Sequence, residues 1–178
     1  ACSQTKECPR SSEGYCDDDA MDDHFHGTHV AGTIGAVGNN SVGVVGVNWN
    51  VKILPVKVMN KQGSGDSGDS MKGLKYAADQ GAEVANLSLG SNSSCSSNQQ
   101  ATVDYAISKG VVVVVAAGNG DKYGRPLDAS TASPASCDGV ITVGATTASD
   151  SRASFSNFGN LVEIGAPGSQ IYSTFPQN

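Results

Sequence analysis

The sequence predicts an α/β fold with a doubly wound, mostly parallel sheet that carries helices on both faces. The candidate strands are apolar along their whole length, most clearly residues 111–117, which is typical of strands buried on both sides. Segments with the 3.6-residue spacing of amphipathic helices separate these strands. Strands and helices therefore alternate along the chain, as parallel sheets with right-handed crossovers require.

The predicted elements follow one another from residue 24 onward, after a polar, acidic, cysteine-bearing segment at 1–23 that we interpret as a surface loop or insertion. Helices are predicted at 29–37, 67–80 and 99–109, and Gly81 and Gly110 end the last two. Strands are predicted at 51–58, 84–89, 111–117 and 140–144. No internal repeat or long linker divides residues 24–178, so we expect one domain.

Composition excludes several classes of protein. The chain has 178 residues, 16% of them charged, and a net charge of −6. Nucleic-acid binding favours basic patches, which this balance disfavours. No apolar run approaches the length of a membrane span. Few charges and many small residues suit a compact secreted enzyme, which we expect to be a monomer without nucleic-acid or membrane partners.

The cysteines indicate an oxidising compartment. The chain has five cysteines: Cys2, Cys8, Cys16, Cys95 and Cys137. This distribution is typical of disulfides in an extracellular protein, although the odd number leaves one cysteine without a partner inside the chain. Buried free thiols in a cytosolic protein, or a zinc site that combines Cys16 with nearby histidines, remain alternatives.

We predict one disulfide, between Cys95 and Cys137. Cys95 follows one predicted strand, and Cys137 precedes the strand at 140–144. The loops of a parallel sheet emerge at neighbouring positions on one side, so these two cysteines are expected to meet.

Residues 26–33 read HGTHVAGT and are the most informative segment of the chain. His26 places an imidazole, the usual general base for a hydroxyl nucleophile, ahead of small residues that let a helix lie close to its neighbours. The segment resembles the histidine motif of the subtilisin-like serine proteases, or subtilases. The resemblance implies that His26 is the catalytic histidine of a secreted endopeptidase that cleaves proteins or peptides.

Two strand ends extend the resemblance. Ligands of open α/β sheets bind beyond the carboxyl ends of the strands, where Ser88, Leu89 and Gly90 follow one predicted strand. In subtilases, the corresponding segment pairs with the backbone of the substrate. The next strand ends in Ala117, Gly118 and Asn119. The resemblance implies that Ala117 and Gly118 line the primary specificity pocket. It also implies that the Asn119 side chain belongs to the oxyanion hole.

Gly63, Ser64 and Gly65 match the second subtilase segment that flanks the substrate. Residues 63–68 also read G-x-G-x-x-G, so a dinucleotide-binding domain is a remote alternative. The turn before Gly63 is too long for that fingerprint, and the next strand ends in Ser88-Leu89-Gly90 without the expected acidic residue.

Residues 38–47 resemble the calcium loop of subtilases. The resemblance implies that the carbonyls of Gly38, Val42 and Val44 and the side chain of Asn40 are oxygen ligands of a structural calcium ion. The further Asp and Gln ligands of the family have no match upstream, and an ordinary turn is the alternative.

A subtilase triad consists of Asp, His and Ser. The family's Asp-Ser/Thr-Gly and Gly-Thr-Ser-Met-Ala motifs are both absent from the sequence, although residues 166–168 resemble the approach to the second. The resemblance covers about residues 24–178. We therefore expect the central part of a catalytic domain, incomplete at both ends and inactive by itself. The alternative is a non-catalytic, subtilase-like protein that binds peptides.

Overall fold

The structure, a computed structural model, describes residues 20–176, in which two helices are followed by a strand, a third helix and three further strands. The helices are α1 His26–Gly35, α2 Ser67–Asp79 and α3 Ser97–Ser108, with a 3₁₀ turn at Ala129–Thr131. The strands are β1 Val84–Leu87, β2 Val112–Ala116, β3 Ile141–Thr146 and β4 Ile164–Pro167. The order confirms the predicted α/β class.

The four strands form one sheet in the order β1-β2-β3-β4, and every neighbouring pair is parallel. The register places Val84 opposite Val112 and Val114 opposite Ile141. Val113 and Val115 of β2 point into the core and are 1% exposed. Because side chains alternate between the two faces of a strand, these valines define the covered face of the sheet.

The second face of the sheet is also apolar. Val84 is 59% exposed, Val112 45% and Ile164 55%. A continuous apolar strand predicts cover on both faces, but within residues 20–176 these side chains remain open to solvent. The sheet therefore presents an apolar surface larger than scattered single residues would give.

Two compact units divide the described chain. The first comprises residues 20–76 and 172–176, which include α1 and most of α2. The second comprises residues 77–171, which include α3 and the whole sheet. The predicted site residues are accordingly divided between the two units.

The predicted strand at residues 51–58 is wrong. This segment has no ladder partner among the described residues, so its valines and isoleucine do not form a regular strand. Val56 and Val58 instead lie close to Gly73 of α2, where an added Cβ would approach both side chains. Apolar composition predicted a strand here but could not reveal whether the segment has the hydrogen-bonding neighbour that a strand needs, and residues 51–55 are exposed.

Helices α1 and α3 begin three and two residues earlier than predicted, and a polar N-cap explains the earlier start of α3. The N-terminus of α3 is a capping box, in which the Ser96 hydroxyl accepts from the Gln99 backbone N–H and the Gln99 side chain accepts from Ser96 N.

The sequence did not predict strand β4, because residues 164–167 contain glycine and proline and lack a run of β-branched side chains.

The predicted disulfide between Cys95 and Cys137 is present, with the two Cα atoms 5.1 Å apart. The Cys95 backbone N–H also donates to Ser136 Oγ at 2.8 Å, which joins the two loops a second time. Cys2, Cys8 and Cys16 lie outside the described residues.

Replacing both cysteines of this bridge with serine is expected to lower the free energy of unfolding by about 3–4 kcal/mol, because the bridge closes a long loop in the unfolded chain. Urea denaturation of the oxidised chain and of the double variant measures the difference. Equal unfolding midpoints would show that the bridge does not stabilise the fold.

Candidate active site

His26 is exposed at the first residue of α1, and a carboxylate holds that helix terminus. Asp22 accepts hydrogen bonds from the backbone N–H of Thr28 at 2.8 Å, from the Thr28 hydroxyl at 2.9 Å and from His24 N at 2.9 Å. Burial raises the pKa of Asp22, but the Thr28 and His24 hydrogen bonds outweigh burial and leave the pKa below its usual value. A charged cap therefore fixes the chain where His26 begins the helix.

The backbone of α1 is also held from the side. The hydroxyls of Ser173 and Thr174 donate to the carbonyls of His29 and Thr28, at 2.6 and 2.8 Å. Gly32 is buried against the same two side chains, and a Cβ there would overlap them. The small residue that the histidine motif supplies is thus what allows this close approach.

The segment Gly63, Ser64 and Gly65 is exposed and lies in the same unit as His26. Asn60 shapes it, because Asn60 Oδ1 accepts from Ser64 N at 3.1 Å and Asn60 N donates to the Ser64 carbonyl at 2.8 Å. Gly63 has φ +71°, and a Cβ there would lie 2.9 Å from Cε1 of His24. A tight turn therefore sets this segment against the His24 ring.

The second unit brings together the site residues that were predicted at the ends of two strands. Leu87 of β1 pairs with Val115 of β2, so the segments that follow the two strands leave the same edge of the sheet as neighbours. Ser88, Leu89 and Gly90 form the first segment, and Ala117, Gly118 and Asn119 form the second. This is the edge at which open α/β sheets bind ligands.

Asn119 is exposed, and its side chain makes no hydrogen bond within residues 20–176. Gly118 precedes it with φ +102°, a conformation that other residues rarely adopt. An amide with free N–H donors, presented at the ligand-binding edge of a sheet, can stabilise negative charge on a bound molecule.

The predicted calcium loop is a compact turn in the first unit. Asn39, Ser41 and Gly43 have φ values of 56°, 59° and 58°. Asn40 Oδ1 accepts from Val42 N at 3.1 Å, so the loop already uses this oxygen internally. Calcium takes six to eight oxygens. In the described part of the chain no cluster of three or more His, Cys, Asp or Glu residues is placed to hold a metal.

The sequence matches the model of the Subtilase family over residues 3–178. The chain belongs to the subtilase family. The match begins upstream of residue 24, so it includes the segment interpreted from sequence as a loop or insertion. The described part of this subtilase also contains no helix long and apolar enough to cross a membrane.

Several proteases resemble this subtilase. The "Extracellular basic protease" of Dichelobacter nodosus is 44% identical over 84% of this chain and 26% of that protein. "Subtilisin DY" of Bacillus licheniformis is 44% identical over 88% of this chain and 56% of its own length. "Thermitase" of Thermoactinomyces vulgaris is 46% identical over 85% and 52%. The chain thus spans from about a quarter to somewhat over half of these relatives.

A solved structure has the same architecture as this chain. A "cold adapted subtilisin-like serine proteinase" superimposes with a TM-score of 0.77 at 43% identity, covering 89% of this chain and 54% of that one. The α/β architecture of the described residues is therefore that of the subtilisin-like proteinases.

Proposed function

We propose that this chain is the central part of a secreted serine endopeptidase whose nucleophile and triad Asp lie outside these residues. The observation that carries the proposal is the exposed, unbonded Asn119 amide at the carboxyl edge of the sheet, in a chain of the subtilase family. The disulfide and the names of the relatives, which include extracellular proteases, support secretion.

The proposed reaction is peptide-bond hydrolysis through an acyl-enzyme. The serine oxygen attacks the scissile carbonyl carbon while His26 takes the hydroxyl proton, and the carbonyl oxygen becomes an oxyanion. The Asn119 side chain donates to that oxyanion. His26 then gives its proton to the leaving amine, and a water molecule repeats the sequence to release the acyl group.

The substrate is held as an added strand. In this proposal, Ser88, Leu89 and Gly90 pair with the peptide backbone, and Gly63, Ser64 and Gly65 are a second segment that can pair with it. Backbone pairing accepts many sequences because it ignores most side chains. Ala117 and Gly118 border the pocket for one substrate side chain, and their small size leaves that pocket roomy.

The exposed sheet face supports a longer protein. Val84, Val112 and Ile164 together leave apolar surface in water, which further chain would remove.

The dinucleotide alternative has less support. Asp66 Oδ1 accepts from Gly68 N at 2.7 Å, so a carboxylate already occupies the start of α2, where a pyrophosphate would need to bind.

The activity test compares this chain with the complete protein. Expressed alone, the 178 residues are expected to hydrolyse no chromogenic peptide, whereas the complete protein turns it over. Hydrolysis by the chain alone, abolished by His26→Ala, would contradict the assignment of the nucleophile to another segment. A complete protein that binds the peptide without cleaving it would instead support the non-catalytic alternative.

We propose that residues 38–44 bind calcium in the complete protease, with the Asn40 side chain and the carbonyls of Gly38, Val42 and Val44 as ligands. These oxygens are too few for calcium, so other segments must supply the rest. An ion that binds the folded state alone stabilises it by mass action.

Chelator is therefore expected to lower the Tm of the complete protease, and Asn40→Ala is expected to remove most of that difference. The isolated chain should show little or no shift, because it lacks the additional ligands. Thermal denaturation with calcium and with chelator measures both effects. A Tm of the complete protease that is independent of chelator would leave the loop as a turn only.

A further inference from the structure

Asn157 is 1% exposed, and its side chain binds the segment that carries Asn119. Its Nδ2 donates to the Ala117 carbonyl at 2.9 Å. Its Oδ1 accepts from the backbone N–H of Gly120 at 3.0 Å and of Leu127 at 2.8 Å. One buried amide thus connects both sides of Asn119 to a neighbouring loop.

The backbone of Asn157 adds a fourth contact, since its N–H donates to the Gly118 carbonyl at 2.9 Å. Gly118 permits the approach, because a Cβ there would lie 2.5 Å from Asn157 Nδ2. Asn157 therefore holds the backbone immediately before and after Asn119 and leaves the Asn119 side chain itself unbonded.

We propose that Asn157 is a positioning residue that aims the Asn119 amide at the oxyanion. The role rests on the proposed function. A donor stabilises a transition state best when its direction is fixed before the charge develops. The exposed Asn119 side chain makes no hydrogen bond within residues 20–176 that would fix it, so its direction must come from its backbone.

Removing the Asn157 side chain would leave the Ala117 carbonyl and the Gly120 and Leu127 N–H groups without their partner. Backbone groups removed from water rarely stay unpaired, so the turn is expected to rearrange until they find new partners. The Asn119 amide moves with that turn. We therefore expect loss of the Asn157 side chain to reduce the part of the catalytic rate that depends on the Asn119 amide.

The test in the complete protease is a double-mutant cycle of Asn157→Ala and Asn119→Ala. Asn157→Ala is expected to lower kcat about 10²-fold, with a smaller change in KM. In the Asn119→Ala background the same substitution should cost little further kcat, because the donor it positions is gone. An unchanged kcat, or an equal loss in both backgrounds, would overturn the positioning role.

Thr142→Val is the matched control for stability. Thr142 is also 1% exposed, and its hydroxyl donates to the Ala135 carbonyl at 2.7 Å and not to the Asn119 segment. This substitution removes a buried hydrogen bond of the same unit and should leave kcat unchanged. A kcat loss equal to that of Asn157→Ala would mean that general destabilisation explains both results.

Amide hydrogen exchange in the 178-residue chain separates this proposal from the protease assignment. Asn157→Ala should accelerate exchange at Gly120 and Leu127, while Thr142→Val should not. Unchanged exchange at Gly120 and Leu127 would overturn the role of Asn157 in holding the Asn119 segment, whether or not the complete protein is active. Accelerated exchange together with an inactive complete protein would instead contradict the proposed function and leave that role of Asn157 intact.

Discussion

His26→Ala in the complete protease is expected to lower kcat on the order of 10⁶-fold, a magnitude borrowed from loss of the catalytic histidine in a subtilisin. Without the imidazole, the serine hydroxyl keeps its proton during attack and the leaving amine receives none. The substrate segments remain, so KM should change far less. Steady-state hydrolysis of a chromogenic peptide measures both constants.

His29→Ala is the matched control, because His29 is the second histidine of the same motif and lies one turn further along α1. Its ring contacts Phe175 edge-on, with centroids 5.9 Å apart, which is a packing role. We expect this variant to keep kcat within about tenfold of the parent. A large loss for His29→Ala with little loss for His26→Ala would reverse the assignment of the base.

Asn119→Ala is expected to lower kcat about 10²–10³-fold with little change in KM, again a magnitude taken from a subtilisin. The oxyanion exists only in the transition state, so its donor contributes to kcat and little to substrate binding. The mutation removes no hydrogen bond from the described residues, so stability should be nearly unchanged.

Asn98→Ala provides the comparison, because Asn98 is an exposed asparagine on α3, outside the proposed site. Its kcat and KM should equal those of the parent. If Asn119→Ala raised KM and left kcat intact, Asn119 would be a ground-state binding residue and the oxyanion assignment would be wrong.

Local sequence predicted the helices and strands that their own residue composition favours. Residues 112–116 are four valines and an alanine, which favour a strand, and α2 was located to within a residue of its ends. Residues 51–58 are also rich in Val, Ile and Leu, although they include two lysines and a proline, and they do not form a regular strand, because a strand depends on a neighbour that composition does not reveal. β4 shows the reverse, since pairing with β3 imposes strand geometry on residues that do not favour it.

Sequence motifs predicted the chemistry-bearing residues of the candidate site, but not the residues that hold them in place. The resemblance named His26 and Asn119 as chemistry-bearing residues, but it named neither Asp22 nor Asn157. Asp22 lies before the N-cap residue Phe25, so the usual N-cap signal does not identify it, and only the structure shows its hydrogen bond to Thr28 N. Asn157 is far from Asn119 in sequence, and only the fold brings its amide to the Asn119 segment.

Labelling of the complete protein with a fluorophosphonate, followed by mapping of the modified residue, tests the central claim most directly. The reagent phosphonylates a serine that a neighbouring base has activated. We expect one labelled serine outside residues 1–178, with labelling lost in His26→Ala. Labelling of a serine within these residues, or labelling that His26→Ala leaves unchanged, would contradict the account.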